Sequence, residues 1–163
     1  MRAFVVDVNI AIVANGRSSH ADVGCISACV AALINIHDNG KIVLDDGMKI
    51  LYEYMAQLSM AGQPGIGDAF MRWVWEHQAV DSRCERVFLK PNPDDPDGFL
   101  EFPTDPDLRT FDPSDRKYVV VALGSRARPV VLNAVDTDWW EHRVALTKNG
   151  IHLRFLCPQH MDI

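Results

Sequence analysis

The run Ala3-Phe4-Val5-Val6, stopped by Asp7, constrains this chain more than any other stretch. Four consecutive apolar residues with no polar alternate are the pattern of a strand buried on both faces, as in a parallel sheet covered by helices. An ionised carboxylate at the end of such a strand is costly unless a cation offsets it. The C-terminal strand ends of open α/β sheets are also where ligands bind. Asp7 is therefore read as a metal ligand, and the other functional acids are expected to be those able to reach it.

With 163 residues the chain suits a single domain, 1–163, with a sizeable core, and is short for two. A net charge of -6 weighs against broad electrostatic adhesion to nucleic acid or to an anionic membrane, while leaving room for a local basic track. No apolar stretch is long enough to span a bilayer. Asp7 and Asn9 interrupt what would otherwise resemble a signal-peptide core, so the N-terminus reads as mature structure and the protein as cytoplasmic. Cys25, Cys29, Cys84 and Cys157 show no CxxC spacing, although Cys25 and Cys29 would share a helix face. They are expected to be buried free thiols, because a zinc site calls for closer pairs or accompanying histidines.

Strand and helix alternate along the chain, which implies an α/β fold with a mostly parallel sheet. A turn-rich loop is expected from Asn15 to His20, after the first strand. Asp22 is placed to cap a helix ending at Asn39-Gly40, and a second strand is expected over 41–44 (KIVL). A helix follows over 48–60, carrying Glu53, and Asp68 is expected to cap the next one. A third strand reads over 84–90. The segment 91–107 is a Pro- and Asp-rich excursion, of a length usually functional or mobile, with 99–102 as a small strand or flap. Asp112-Pro113-Ser114-Asp115 has the composition of a helix start. Strands over 129–132 and 151–156 flank a last helix over 139–149.

Three acids then share one topological position. Asp7 follows the first strand, Asp136 follows the strand over 129–132, and Asp115 opens the helix leading into that strand. Glu53 sits where a longer side chain could reach back, and is preferred to Asp45 and Asp46, since turn acids before a glycine are commonplace. If the first strand is central, all four carboxylates converge on one rim. They would coexist as anions there only beside a cation, and hard oxygen ligands suit Mg²⁺ or Mn²⁺. Asp138 is placed to cap the last helix, with a water-mediated metal contact as its alternative role.

The ordered set Val5-Val6-Asp7-Val8-Asn9, Ile50-Leu51-Tyr52-Glu53-Tyr54, Asp115 with Val119 to Leu123, and Asn133 to Trp139 resembles the PIN domain family over nearly the whole chain. That resemblance implies a three-layer α/β/α fold with a five-stranded parallel sheet, and a Mg²⁺- or Mn²⁺-dependent ribonuclease using metal-activated water. It carries metal ligation onto Asp7, Glu53, Asp115 and Asp136, with Asp138 as an accessory acid and Asn9 helping to position Asp7. The chain departs from the family in having Ala134-Val135 where a hydroxyl residue usually precedes the fourth acid, and in the long excursion over 91–107.

RNA, single-stranded or structured, is the expected substrate, with Arg17, Arg116 and Lys117 as phosphate contacts. Of the neighbouring pairs Trp73 with Trp75 and Trp139 with Trp140, Trp73 and Trp139 are expected in the core. The other of each pair would mark a homodimer or partner face. A toxin-like effector restrained by a protein inhibitor fits the same reading, and the alternative is a catalytically silent PIN-like binding or regulatory module.

Overall fold

The structure, a computed structural model, describes residues 1–161. Strands β1 (Arg2–Val6), β2 (Gly40–Asp45), β3 (Cys84–Val87), β4 (Val130–Asn133) and β5 (His152–Phe155) form one sheet in the order β3-β2-β1-β4-β5. Every adjacent pair is parallel. The helices are α1 (Val8–Ala14), α2 (Val23–Asn39), α3 (Lys49–Gln57), α4 (Ile66–His77), α5 (Arg116–Gly124), α6 (Thr137–Glu141) and α7 (Arg143–Lys148). This is the α/β architecture that the alternation of elements predicts.

β1 is central, with Phe4 opposite Ile42 of β2 on one side and Val130 of β4 on the other. Ala3, Phe4, Val5 and Val6 are all buried, as a strand covered on both faces requires. Helices α1, α2 and α4 pack on one another, while α5 lies against β1, β2 and β4. No helix among the described residues is long and apolar enough to cross a membrane.

Several elements differ from the sequence expectations. The chain does not run on from β1 to a loop at Asn15, because α1 begins immediately after Asp7. Asp7 is its N-cap, accepting a hydrogen bond from the Asn9 main-chain N–H at 3.0 Å. Ile10, Ala11, Val13 and Ala14 are all buried, so α1 has no polar face to reveal a helical period. Asp68 is not an N-cap. Gly65 caps α4, and the Asp68 carboxylate reaches back to the N–H groups of Gly65 at 3.1 Å and Ser59 at 2.8 Å. The last helix is two, divided at His142, whose ring is tied to the Asp138 carbonyl at 2.8 Å and to Thr110 Oγ1 at 3.0 Å. β3 stops at Val87, short of the expected 90, and the Leu89 N–H turns to Asp46 Oδ1 at 3.2 Å.

The cysteines are not four free thiols. Cys25 and Cys157 form a disulfide, and Cys29 and Cys84 are free and buried. The bonded pair is 132 residues apart, brought together by folding rather than by spacing. In the excursion, Pro91 and Phe99 make an isolated antiparallel bridge, and Phe99 is buried beneath the Lys49 ammonium, 4.9 Å from its ring centroid. Trp73 and Trp139 are buried and Trp75 is exposed, the division expected of the pairs.

Candidate metal centre

From β1 the chain builds the sheet outward through β2 and β3, then returns to build the other side with β4 and β5. The C-terminal ends of β1 and β4 therefore bound the crevice where strand order reverses, the usual ligand position in an open α/β sheet. Asp7 stands at the end of β1 and caps α1; Asp136 follows β4 and caps α6. Asp115 closes the short 3-10 turn Pro113–Asp115 at the start of α5. One carboxylate oxygen from each of these three residues lies within 4.8 Å of the others. The sequence expectation that Asp7, Asp115 and Asp136 meet is met in the fold.

Asn133, fully buried at the end of β4, holds two of the acids in place. Its Nδ2 donates to Asp7 Oδ2 at 3.1 Å, and its Oδ1 accepts from the Asp136 N–H at 3.1 Å. Sequence reasoning did not single it out; the available signal was an amide closing an apolar strand. Asn9 steadies Asp7 through its main-chain N–H, while its side chain does something else. Asn9 Oδ1 accepts from the Ala134 N–H at 3.0 Å, fastening the start of α1 to the loop after β4.

Burial makes the cluster reluctant to ionise. Asp7 is pushed up to about 7, mainly by desolvation; the Asn9 N–H opposes this, and the charges of Asp136 and Glu53 add to it. Asp115 is raised to about 9, again first by burial and then by the charges of Asp7 and Asp136. Asp136 is also raised by burial, against hydrogen bonds from the Asp138 N–H and the Asp115 carboxyl. Lys117 draws both Asp7 and Asp115 downward, but more weakly than burial and like charge raise them. Two buried carboxyls and the half-buried Asp136, with a deficit of positive charge and all offering oxygen, could hold a metal ion.

Glu53 is not part of this trio. Its Oε2 pairs with Lys117 Nζ at 2.9 Å, and its Oε1 accepts from the Tyr118 hydroxyl. The Lys117 ammonium also donates to the Ser114 carbonyl, so it is held nearly buried between Glu53 and Ser114, on the wall of the neighbouring groove. The Tyr118 oxygen accepts from the Val8 N–H at 3.4 Å, which links Glu53 to the first turn of α1. Asp45 and Asp46 are committed elsewhere: Asp45 accepts from Lys49 N and Ile50 N, both at 2.9 Å, at the start of α3, and Asp46 serves Leu89.

Asp138 is neither in the trio nor the cap of α6, since the capping oxygen is Asp136 Oδ1 at 2.9 Å. Asp138 Oδ2 accepts from the Asp112 N–H at 2.9 Å and Oδ1 lies 3.2 Å from His142 Nδ1. It thereby ties α6 to the turn that presents Asp115. Arg116 lays its guanidinium 4.6 Å from the Phe102 ring centroid and donates to the Arg109 and Phe111 carbonyls. Arg17 follows the opposite end of α1 from Asp7 and lies 3.9 Å from Asp68. None of the three basic residues therefore stands free at the rim.

A groove of about 290 Å³ borders the centre, with Tyr52, Glu53, Phe99, Ser114 and Lys117 among its walls. A larger concavity of about 870 Å³ runs beside β3 and Arg126, and none of the acids of the centre lines it. No family model matches this sequence, and neither a curated protein nor a solved structure matches it.

Proposed function

We propose that this protein is a PIN-like, Mg²⁺- or Mn²⁺-dependent nuclease acting on RNA. The observation that carries the reading is the convergence of Asp7, Asp115 and Asp136 at the switch point of a parallel sheet, with their carboxyls raised by burial and mutual charge. A divalent cation bound there supplies Lewis acidity and an activated water for phosphodiester hydrolysis. The chain's own residues do the rest. Asn133 and the capping N–H groups of Asn9 and Asp138 orient the carboxylates of Asp7 and Asp136, so two of the three ligands are aimed before a cation arrives.

Lys117, paired with Glu53 at 2.9 Å, places a positive charge beside the trio, where a phosphate oxygen would accumulate negative charge. The neighbouring groove, with the Tyr52 and Phe99 rings in its wall, has room for a nucleotide base next to the scissile position. The test is cleavage of an RNA by the purified protein with Mn²⁺, set against Asp136→Asn. Expected is loss of cleavage with an unchanged far-ultraviolet dichroism spectrum; equal cleavage by both proteins sinks the proposal.

The engagement of Glu53 by Lys117 and Tyr118 favours a second reading, a cation-binding module without turnover. Mn²⁺ binding by the wild type, lost in Asp136→Asn, together with no cleavage by either protein would select it.

A further inference from the structure

A second group of metal-ligating side chains lies where α2 meets the segment after β5. Cys25 and Cys29, one turn apart on α2, and Cys157 are each fully buried. Their sulfur atoms all fall within 4.8 Å of one another. Two of the sulfurs form the Cys25–Cys157 disulfide, and Cys29 is a free thiol against it.

Exchange between Cys29 and the disulfide is a poor use of this arrangement. Attack requires a thiolate, and burial pushes the Cys29 thiol up to about 12. A cation removes that obstacle by taking the place of the thiol protons.

A histidine follows the third cysteine closely along the chain. His160, in the 3-10 turn Pro158–His160 just beyond Cys157, turns its Nε2, which is closed to solvent, toward Asp22. That atom lies 3.2 Å from Asp22 Oδ1, the same oxygen that accepts from the Cys25 N–H at 2.8 Å.

We propose that the reduced protein binds a thiophilic divalent cation, zinc, on Cys25, Cys29 and Cys157. Three thiolates supply three of the four ligands of a tetrahedral zinc site, and His160 would supply the fourth only by turning away from Asp22. Reduction of the disulfide takes two electrons, either from two external thiols, which pass on their two protons and become a disulfide, or from a phosphine, which becomes its oxide while water supplies the oxygen and the two protons. The cation then displaces the three thiol protons to solvent and forms three metal–sulfur bonds, joining α2 to the segment after β5 in place of the S–S bond. The sulfur site is separate in chemistry from the carboxylate centre, which offers only oxygen.

Co²⁺ added to the full chain, reduced with a phosphine and freed of metal, reads the site directly. Expected is a near-ultraviolet sulfur-to-metal charge-transfer band that Zn²⁺ quenches. The band should persist in Asp7→Asn, which damages only the oxygen centre, and in Cys84→Ser, which removes a buried thiol elsewhere. Cys29→Ser, which still permits the disulfide when oxidised, should lose it. Where reduction loosens the fold, Zn²⁺ should restore the far-ultraviolet dichroism of the oxidised protein. Absence of the band from the reduced wild type, or a band of equal strength in Cys29→Ser, overturns the proposal.

Discussion

Asn133 joins the two strands of the crevice through a single amide, donating to Asp7 and accepting from Asp136 while wholly buried. Asn133→Ala leaves both partners without water or protein to replace it. The cost should be about 1–3 kcal/mol of stability, read by denaturant unfolding. Mn²⁺ affinity should fall by about 10- to 100-fold, read by calorimetric titration, as for other residues that orient ligands. The acids themselves set a pH dependence. Asp7 at about 7 and Asp115 at about 9 in the folded protein stand above the ordinary 3.8, so between those limits the folded state keeps protons that the unfolded chain has released. Stability of the metal-free protein must then fall as pH rises through that interval. Its melting temperature should be lower at pH 8 than at pH 5, and Mn²⁺ should flatten the difference. Asp115→Asn should stabilise the metal-free protein at pH 8, by roughly 1.4 kcal/mol for each tenfold by which folding tightens the carboxyl's hold on its proton. A metal-free melting temperature that climbs from pH 5 to pH 8 contradicts this account. Asp7, Asp115 and Asp136 were legible in the sequence because each sits beside a strongly patterned apolar run. The fate of Glu53 was not, since its partner Lys117 is 64 residues away and only the packing of α5 on α3 brings them together.

At the scale of elements, α1 is the piece on which the crevice depends, and α4 is what holds it. Gly67 allows the approach: a Cβ there would lie 2.0 Å from the Ala11 carbonyl oxygen, which is backbone and cannot move aside. Gly67→Ala should therefore cost more than ~2 kcal/mol, in the range of overpacked cores, measured by chemical denaturation. Asp68 secures the same contact, donating nothing and accepting from Ser59 N, Gly65 N and Asn15 Nδ2. Burial alone would raise its carboxyl, but these hydrogen bonds prevail and hold it below the usual range. Asp68→Ala should destabilise by about 1–3 kcal/mol, because it leaves the Ser59 and Gly65 N–H groups without their acceptor. The sheet strands and the long helix α2 were readable from short apolar runs and the Asp22 cap. By contrast α1 was hidden, because a helix buried nearly all round carries no alternation of polar and apolar faces. Its N-cap, Asp7, was visible as a candidate ligand, and the same carboxylate serves both purposes.

Across the whole molecule, ties cross between the early and late parts of the chain, among them β1 against β4 and Cys25 to Cys157. The disulfide closes a loop of 132 residues. Its reduction in zinc-free buffer should lower stability by about 2–4 kcal/mol, visible as an earlier unfolding midpoint in denaturant. The alternation of strand and helix anticipated the α/β class, but no spacing rule could pair cysteines at that separation. The same remoteness governs the crevice. Asp7 and its Asn133 partner are 126 residues apart, so a nascent chain that has not yet made β4 carries the first carboxylate unaccompanied. The three acids can gather only once β4 slots in beside β1.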